Sequence, residues 1–150
     1  MNSNQLDEFV HSSSTNLGFL LTRTATLWNE RLMVELANLG FEKMKPSHGS
    51  VLIPLFDFGE QTITSIMKFS KLKKQTMTTY IRELKELGMI EEKRNVNDKR
   101  SKLISLTQLG QELKVGSNQA VNMVNDYFDN QLNEREFEIL HSILAKLLPL

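Results

Sequence analysis

The sequence predicts a mainly α fold with one small β-hairpin, and three observations lead there. Apolar residues recur at spacings of three and four over most of the 150 residues. Residues 89–94 and 102–106 break that rhythm and read as two strands around the polar turn Asn95-Val96-Asn97-Asp98-Lys99-Arg100-Ser101. Residues 62–88, just before the hairpin, read as two helices joined by Lys71-Leu72-Lys73. A helix pair followed by a basic hairpin is the pattern of a winged helix-turn-helix, here flanked by further helices on both sides.

The elements follow in order. Leu6, Phe9 and Val10, then Leu17, Leu20 and Leu21, then Leu27, Trp28, Leu32, Leu36 and Leu39 keep helical spacing. The run Ser12-Ser13-Ser14-Thr15-Asn16 interrupts them and offers caps for the longer helix, because its side-chain oxygens accept free N–H groups. Gly40 supplies the stop. Pro46 and Ser47 open a second helix through Val51, Leu52, Leu55 and Phe56 to Gly59, with a kink expected at Pro54, which has no N–H to donate. Thr62 or Thr64 starts a short helix with Ile63, Ile66, Met67 and Phe69 turned inward. The next helix runs over 74–87, carries Met77, Tyr80, Ile81, Leu84 and Leu87 on its inner face and stops at Gly88.

After Thr107 a long helix carries Leu109, Leu113, Val121, Val124, Tyr127 and Phe128. Asn133 and Glu136 have the spacing of a capping box and open a last helix with Phe137, Leu140, Ile143, Leu144, Leu147 and Leu148. The chain reads as a single domain, with 62–108 as the winged lobe. Residues 1–45 and 109–150 read as dimerisation helices, because apolar faces at both ends of so small a chain need cover.

Composition narrows the class. The 150 residues are 40% hydrophobic and 24% charged, hold no cysteine and no apolar run long enough to span a bilayer, and start without a secretory signal pattern. Disulfides and thiolate metal sites are thereby excluded, and a cytoplasmic protein is expected. The formal net charge is zero, but it is unevenly distributed: residues 68–102 carry eleven Lys/Arg against five Asp/Glu, and the remainder seven against thirteen. A local positive field is what a nucleic-acid surface requires; total charge does not measure it.

The helix over 74–87 is suited to a groove. Opposite its apolar stripe stand Gln75, Thr76, Thr78, Thr79 and Arg82, where a helix selected only for solubility would carry more Glu and Lys. Gln pairs with adenine, Arg with guanine, and Thr donates to a base or touches a thymine methyl. Lys73 and Lys74 sit at the helix start, where backbone N–H groups also favour phosphate. In the hairpin, Lys99, Arg100 and Lys102 crowd the tip, and Asp98 is spaced to orient Arg100 for entry into a narrow minor groove.

Residues 62–110 resemble the DNA-binding core of the MarR (multiple antibiotic resistance regulator) family. The likeness is carried by Asp98-x-Arg100 in the wing, Leu106-Thr107-x-x-Gly110 after it and Leu84-x-x-x-Gly88-Met89-Ile90 before it. Weaker similarity extends along the chain, including Pro46-Ser47-His48-Gly49. The resemblance implies a homodimer held by its terminal helices, a helix in the major groove, a wing in the flanking minor groove and repression modulated by a small aromatic or lipophilic effector. It also implies a DNA contact at Arg94. Lys73 departs from the Ser or Thr that usually caps the recognition helix.

Trp28, Arg31, His48, Leu52 and Phe56 are the candidate effector pocket, although Trp28 and Phe56 read first as core, and His48 as packing at a helix start. His11, His48 and His141 are far apart with no ligand spacing between them, so no metal is expected. No nucleophile motif, carboxylate pair or phosphate loop appears, so neither an enzyme nor a cofactor is expected. The competing reading is a winged-helix protein–protein module, or a small-molecule-binding module without operator DNA. It calls for an acidic or apolar recognition helix and a short uncharged wing, and the sequence has neither.

Overall fold

The computed structural model describes residues 16–96, 98 and 101–148, so Leu6, Phe9, Val10 and His11 lie outside the described residues. Asn16 ends the polar run as a true cap: its side-chain oxygen accepts the Phe19 N–H at 3.1 Å, and α1 (Leu17–Asn38) begins. Gly40 closes α1 with φ +90°, and the Phe41 N–H reaches back to the Leu36 carbonyl at 2.8 Å. Residues Pro46–His48 form a 3₁₀ turn that runs straight into α2 (Gly49–Phe58), so the helix expected from Pro46 splits after its first turn. Pro54 is buried inside α2, which continues past it to Gly59.

The sheet has one strand more than the sequence predicts. β1 (Gln61–Thr62) pairs antiparallel with β3 (Lys102–Leu106), which also pairs with β2 (Ile90–Arg94), giving the order β1-β3-β2. Two residues are too few to show an alternation. In the hairpin Ile90 stands opposite Leu106 and Arg94 opposite Lys102.

Thr62 then caps α3 (Ile63–Ser70) by accepting the Ser65 N–H at 3.1 Å. Ile66 is fully buried, while Phe69, expected inside, is 50% exposed. It lies roughly 110° around the helix from the middle of the Ile63, Ile66, Met67 and Ser70 face. Lys71 makes the turn in the left-handed region, φ 54°, and α4 (Lys74–Glu86) follows. After the hairpin come α5 (Gln108–Asp129) and α6 (Glu134–Leu147). Asn133 and Glu136 make both bonds of the capping box, at 3.0 and 2.9 Å.

Leu55, Ile66, Met77, Leu84, Ile104 and Leu113 are the large buried side chains of a core shared by α2, α3, α4, the sheet and the start of α5. α1 lies alongside α5. α6 buries none of its residues: Leu140, Ile143 and Leu147 are all exposed in the single chain.

Two ties fix α4 against its surroundings. At its C-terminal end, Gly88 (φ +72°) turns the chain so that the Met89 N–H bonds to the Leu84 carbonyl at 2.9 Å. The Thr107 hydroxyl donates to the Gly88 carbonyl and accepts the Gly110 N–H, while the Thr107 N–H donates to the Met89 carbonyl at 3.1 Å. Gly110 is required there, because a Cβ would stand 2.1 Å from the Met89 oxygen. On the side of α4, Glu83 is held by the fully buried His48, whose Nε2 lies 2.9 Å from Glu83 Oε2, and by Lys45 Nζ at 3.0 Å. The bond from His48, then the one from Lys45, holds the Glu83 carboxyl below its usual pKa.

Two outcomes follow. Gly110→Ala must push backbone against backbone, and should cost about 2 kcal/mol or more in a urea titration; an unchanged midpoint would contradict the close approach. Glu83 has a folded pKa below 4.5, so its contribution is intact above that value and is lost as pH falls through the lower folded pKa. Stability should therefore fall on the acid side of 4.5. Glu83→Gln should flatten that limb; identical limbs in both proteins would remove Glu83 from it.

Candidate nucleic-acid interface

The outer face of α4 is built by its period. Gln75, Thr78, Thr79 and Arg82 fall on one stripe, opposite the buried Met77, Ile81 and Leu84. Gln75, Thr78 and Arg82 are exposed, whereas Thr76 and Thr79 are half-buried toward the edges. The hydroxyls of Thr78 and Thr79 donate to the carbonyls of Lys74 and Gln75, at 2.9 and 3.2 Å. Those bonds seat the threonines against their own helix and keep the surface low. Arg82 has only a loose pair with Glu86, Nε to Oε1 at 3.9 Å, and both side chains remain largely exposed.

The start of α4 is open. Lys73 occupies the cap position with no side-chain hydrogen bond, and no acidic residue stands in the first turn. The free N–H groups and positive end of the helix dipole therefore face outward beside the exposed Lys73 and Lys74. A cleft of about 800 Å³ separates this helix start and α3 from the wing, with Lys68, Lys74 and Lys102 on its walls.

The wing strands are cross-braced by charge. Glu92 takes Lys85 of α4 at 3.0 Å and Lys102 of β3 at 3.1 Å. The hydrogen bond from Lys85, then that from Lys102, depresses the Glu92 pKa. Lys93 bridges Glu60 and Glu91, at 3.0 and 3.3 Å, and its pKa rises for that reason. Lys102, a sequence-predicted contact, thus already has a carboxylate partner. Among the described residues no ion pair engages Lys68, Lys71, Lys73, Lys74 or Arg94.

At the hairpin's neck the Asn95 amide donates to Ser101 Oγ at 2.8 Å, and the Ser101 N–H donates to the Asp98 carbonyl at 3.0 Å. Lys99 and Arg100 lie outside the described residues, and with them the expected Asp98–Arg100 bond.

A second cavity, of about 540 Å³, opens between α1, α2 and α5. Of the five residues expected to form an effector pocket, Trp28, Leu52 and Phe56 line it. Arg31 does not: its guanidinium carbon sits 3.2 Å above the Tyr127 ring, a cation–π contact. His48 does not either, because its ring is spent on Glu83. Sequence reasoning missed the α5 wall of Lys114, Ser117, Asn118 and Val121. The i, i+3, i+4, i+7 spacing of three polar residues and a valine was the available signal, masked by the apolar stripe beside it. Lys114 Nζ donates to the Phe56 carbonyl in the last turn of α2. Among the described residues no group of His, Cys, Asp or Glu converges to hold a metal ion, and no helix is long and apolar enough to cross a membrane.

Comparison with known proteins gives this geometry a context. The MarR family model matches residues 44–102. The reduced form of MarR from E. coli is similar to the chain at 25% identity and TM-score 0.77, over 89% of this chain and 96% of that one. A cysteine-to-serine mutant of E. coli MarR complexed with operator DNA gives TM-score 0.77 at 23% identity, over 91% of this chain and 96% of that one. The YusO protein from Bacillus subtilis gives TM-score 0.65 at 20% identity, over 98% and 97%. No curated protein matches the sequence significantly. The match to the MarR family model thus falls on the 3₁₀ turn, α2, the helix pair and the hairpin up to the start of β3, within a chain whose fold is similar to that of MarR over 89% of its length.

Proposed function

We propose that the chain is a sequence-specific, double-stranded DNA-binding transcriptional regulator, a cytoplasmic homodimeric repressor whose operator affinity answers to a small aromatic or lipophilic effector. One observation carries the DNA reading. α4 presents Gln75, Thr78 and Arg82 on a low, exposed stripe and opens on an uncapped positive end flanked by Lys73 and Lys74. That combination reads base edges with side chains and holds phosphate with N–H groups and ammonium ions. The relative crystallised with operator DNA has the same fold over 91% of this chain, which supports the assignment.

On this reading residues 62–108 are the DNA-binding lobe. Lys73, Lys74, Gln75, Thr76, Thr78, Thr79 and Arg82 belong to the major-groove element, and Arg94, Asp98, Lys99, Arg100 and Lys102 to the wing. Residues 1–45 and 109–150 are the dimerisation helices. The exposed leucines of α1 (Leu17, Leu20, Leu21) and the unburied face of α6 support that part. The α1–α2–α5 cavity, with Trp28, Leu52 and Phe56 on its wall, is the effector site, and no catalysis is required of the protein.

Selection of bound duplexes from a random pool should return a pseudo-palindrome with half-sites about one helical turn apart. Arg82→Ala should relax one position per half-site by roughly 1–3 kcal/mol, and Lys74→Ala should lower the salt slope by about one without altering the consensus. An unchanged consensus for Arg82→Ala excludes Arg82 as a base reader. Replacing Ile143 and Leu144 together with glutamate should halve the sedimenting mass and abolish operator binding. A wild-type protein that sediments as one chain would end the dimer reading.

A further inference from the structure

The turn that walls the effector cavity is also the turn that holds the recognition helix. Lys45, Pro46 and Gly49 line the α1–α2–α5 cavity. His48, between Pro46 and Gly49, is absent from that lining and fully buried. Its Nδ1 accepts the Lys45 N–H at 3.3 Å, so the ring hydrogen sits on Nε2 and is donated to Glu83 Oε2 at 2.9 Å. Lys45 Nζ reaches the same carboxylate oxygen at 3.0 Å. The edge of Tyr80, also on α4, meets the His48 ring at 6.4 Å between centroids. The segment Lys45–Gly49 thus faces a cavity through Lys45, Pro46 and Gly49 and grips α4 through Lys45 and His48.

That segment has little slack. Pro46 restricts its φ, the 3₁₀ turn fixes its rise, and a fully buried imidazole cannot shift without moving its neighbours. Glu83 follows Arg82 directly on α4, so a pull on Glu83 changes how the stripe of Gln75, Thr78 and Arg82 is presented. A cavity occupant that displaces the Lys45–Gly49 backbone must either carry α4 with it or break the bond.

We infer that His48 and Lys45 are positioning residues for the recognition helix, and that occupancy of the cavity reaches DNA affinity through the His48–Glu83 hydrogen bond. The inference rests on the reading of the cavity as the effector site. It assigns the coupling to one bond between the 3₁₀ turn and α4, where a diffuse movement of one lobe against another would need no such bond.

The test fills the cavity covalently, so that no effector need be known. Ser117→Phe, with Val121→Phe as a second filling variant if the first does not fold, places an aromatic ring in the cavity from α5. The single tryptophan, Trp28, lines the same space and reports the filling by its emission. Operator affinity is measured for each filled and unfilled pair in the wild type, in Glu83→Leu, in His48→Leu and in His48→Gln, whose amide can still donate to Glu83.

The expected result is a change of about fivefold or more on filling in the wild type and in His48→Gln. The change should be largely lost in Glu83→Leu and His48→Leu. A merely structural role for His48 would shift affinity in those variants and leave the response to filling intact. The same response in all backgrounds overturns the assignment of the coupling while leaving the cavity reading standing. No response in the wild type, with Trp28 emission altered, overturns the cavity reading and the inference with it.

Discussion

The placement of the outer face of α4 depends on one backbone contact, the approach of Gly110 to the Met89 carbonyl. The distance a Cβ would have there, 2.1 Å, leaves no side chain that fits. Around that contact Thr107 uses both its hydroxyl and its N–H on the Gly88–Met89 peptides, and Gly88 takes the positive φ that ends α4. Four elements meet in this joint: the end of α4, the start of β2, the end of β3 and the start of α5. Helix-to-wing and winged-lobe-to-α5 geometry are therefore set together. Two of the three motifs that carry the sequence likeness to MarR proteins, Leu84-x-x-x-Gly88-Met89-Ile90 and Leu106-Thr107-x-x-Gly110, are the two halves of this joint.

The charge arrangement shows a division of labour within a neutral chain. Glu92 of β2 takes Lys85 of α4 and Lys102 of β3, and Lys93 of β2 takes Glu91 and Glu60, so these cations serve to hold the elements together. Among the described residues, Lys68, Lys71, Lys73, Lys74 and Arg94, none of them in an ion pair, and the open helix end carry positive charge outward. An oxygen-bearing cap at position 73 would stabilise α4 by about 1 kcal/mol and occupy one of its free N–H groups. Lys73 leaves that stabilisation out, and both the N–H groups and its exposed ammonium stay open.

Much of this architecture was legible in the sequence because its signals are local. Asn16, Thr62 and Asn133 cap within three residues, and Gly40 and Gly88 stop helices. What was not legible depends on distant partners or on elements too short to have a period. β1 has two residues and is defined only by its pairing with Ile104 and Leu103. Phe69 obeys the helical repeat loosely and falls off the buried face. Arg31 and His48 look alike as pocket candidates until Tyr127 and Glu83 are brought to them by the fold. Lys114 is an ordinary surface lysine in sequence; its role at the cavity wall depends on the Phe56 carbonyl at the end of α2.

α6 poses a stability question that a single chain does not answer. It has a complete capping box, acidic residues in its first turn and Lys146 in its last, which together supply its local stabilisation. A helix of 14 residues is nevertheless marginal in water on propensity and caps alone, and α6 has no buried side chain to add tertiary stabilisation. Its apolar face, with Ile143 half exposed and Leu147 more so, is where the missing stabilisation must come from. If that face is covered by a second copy, ordering of α6 and association are one event, and the protein's stability depends on its own concentration. The spacing of two recognition helices is then fixed by the same contacts that make α6 a helix. Loss of association would therefore not leave an intact half-reader of the operator: each lobe would keep its core around Ile66, Met77 and Leu113 but lose the register between half-sites.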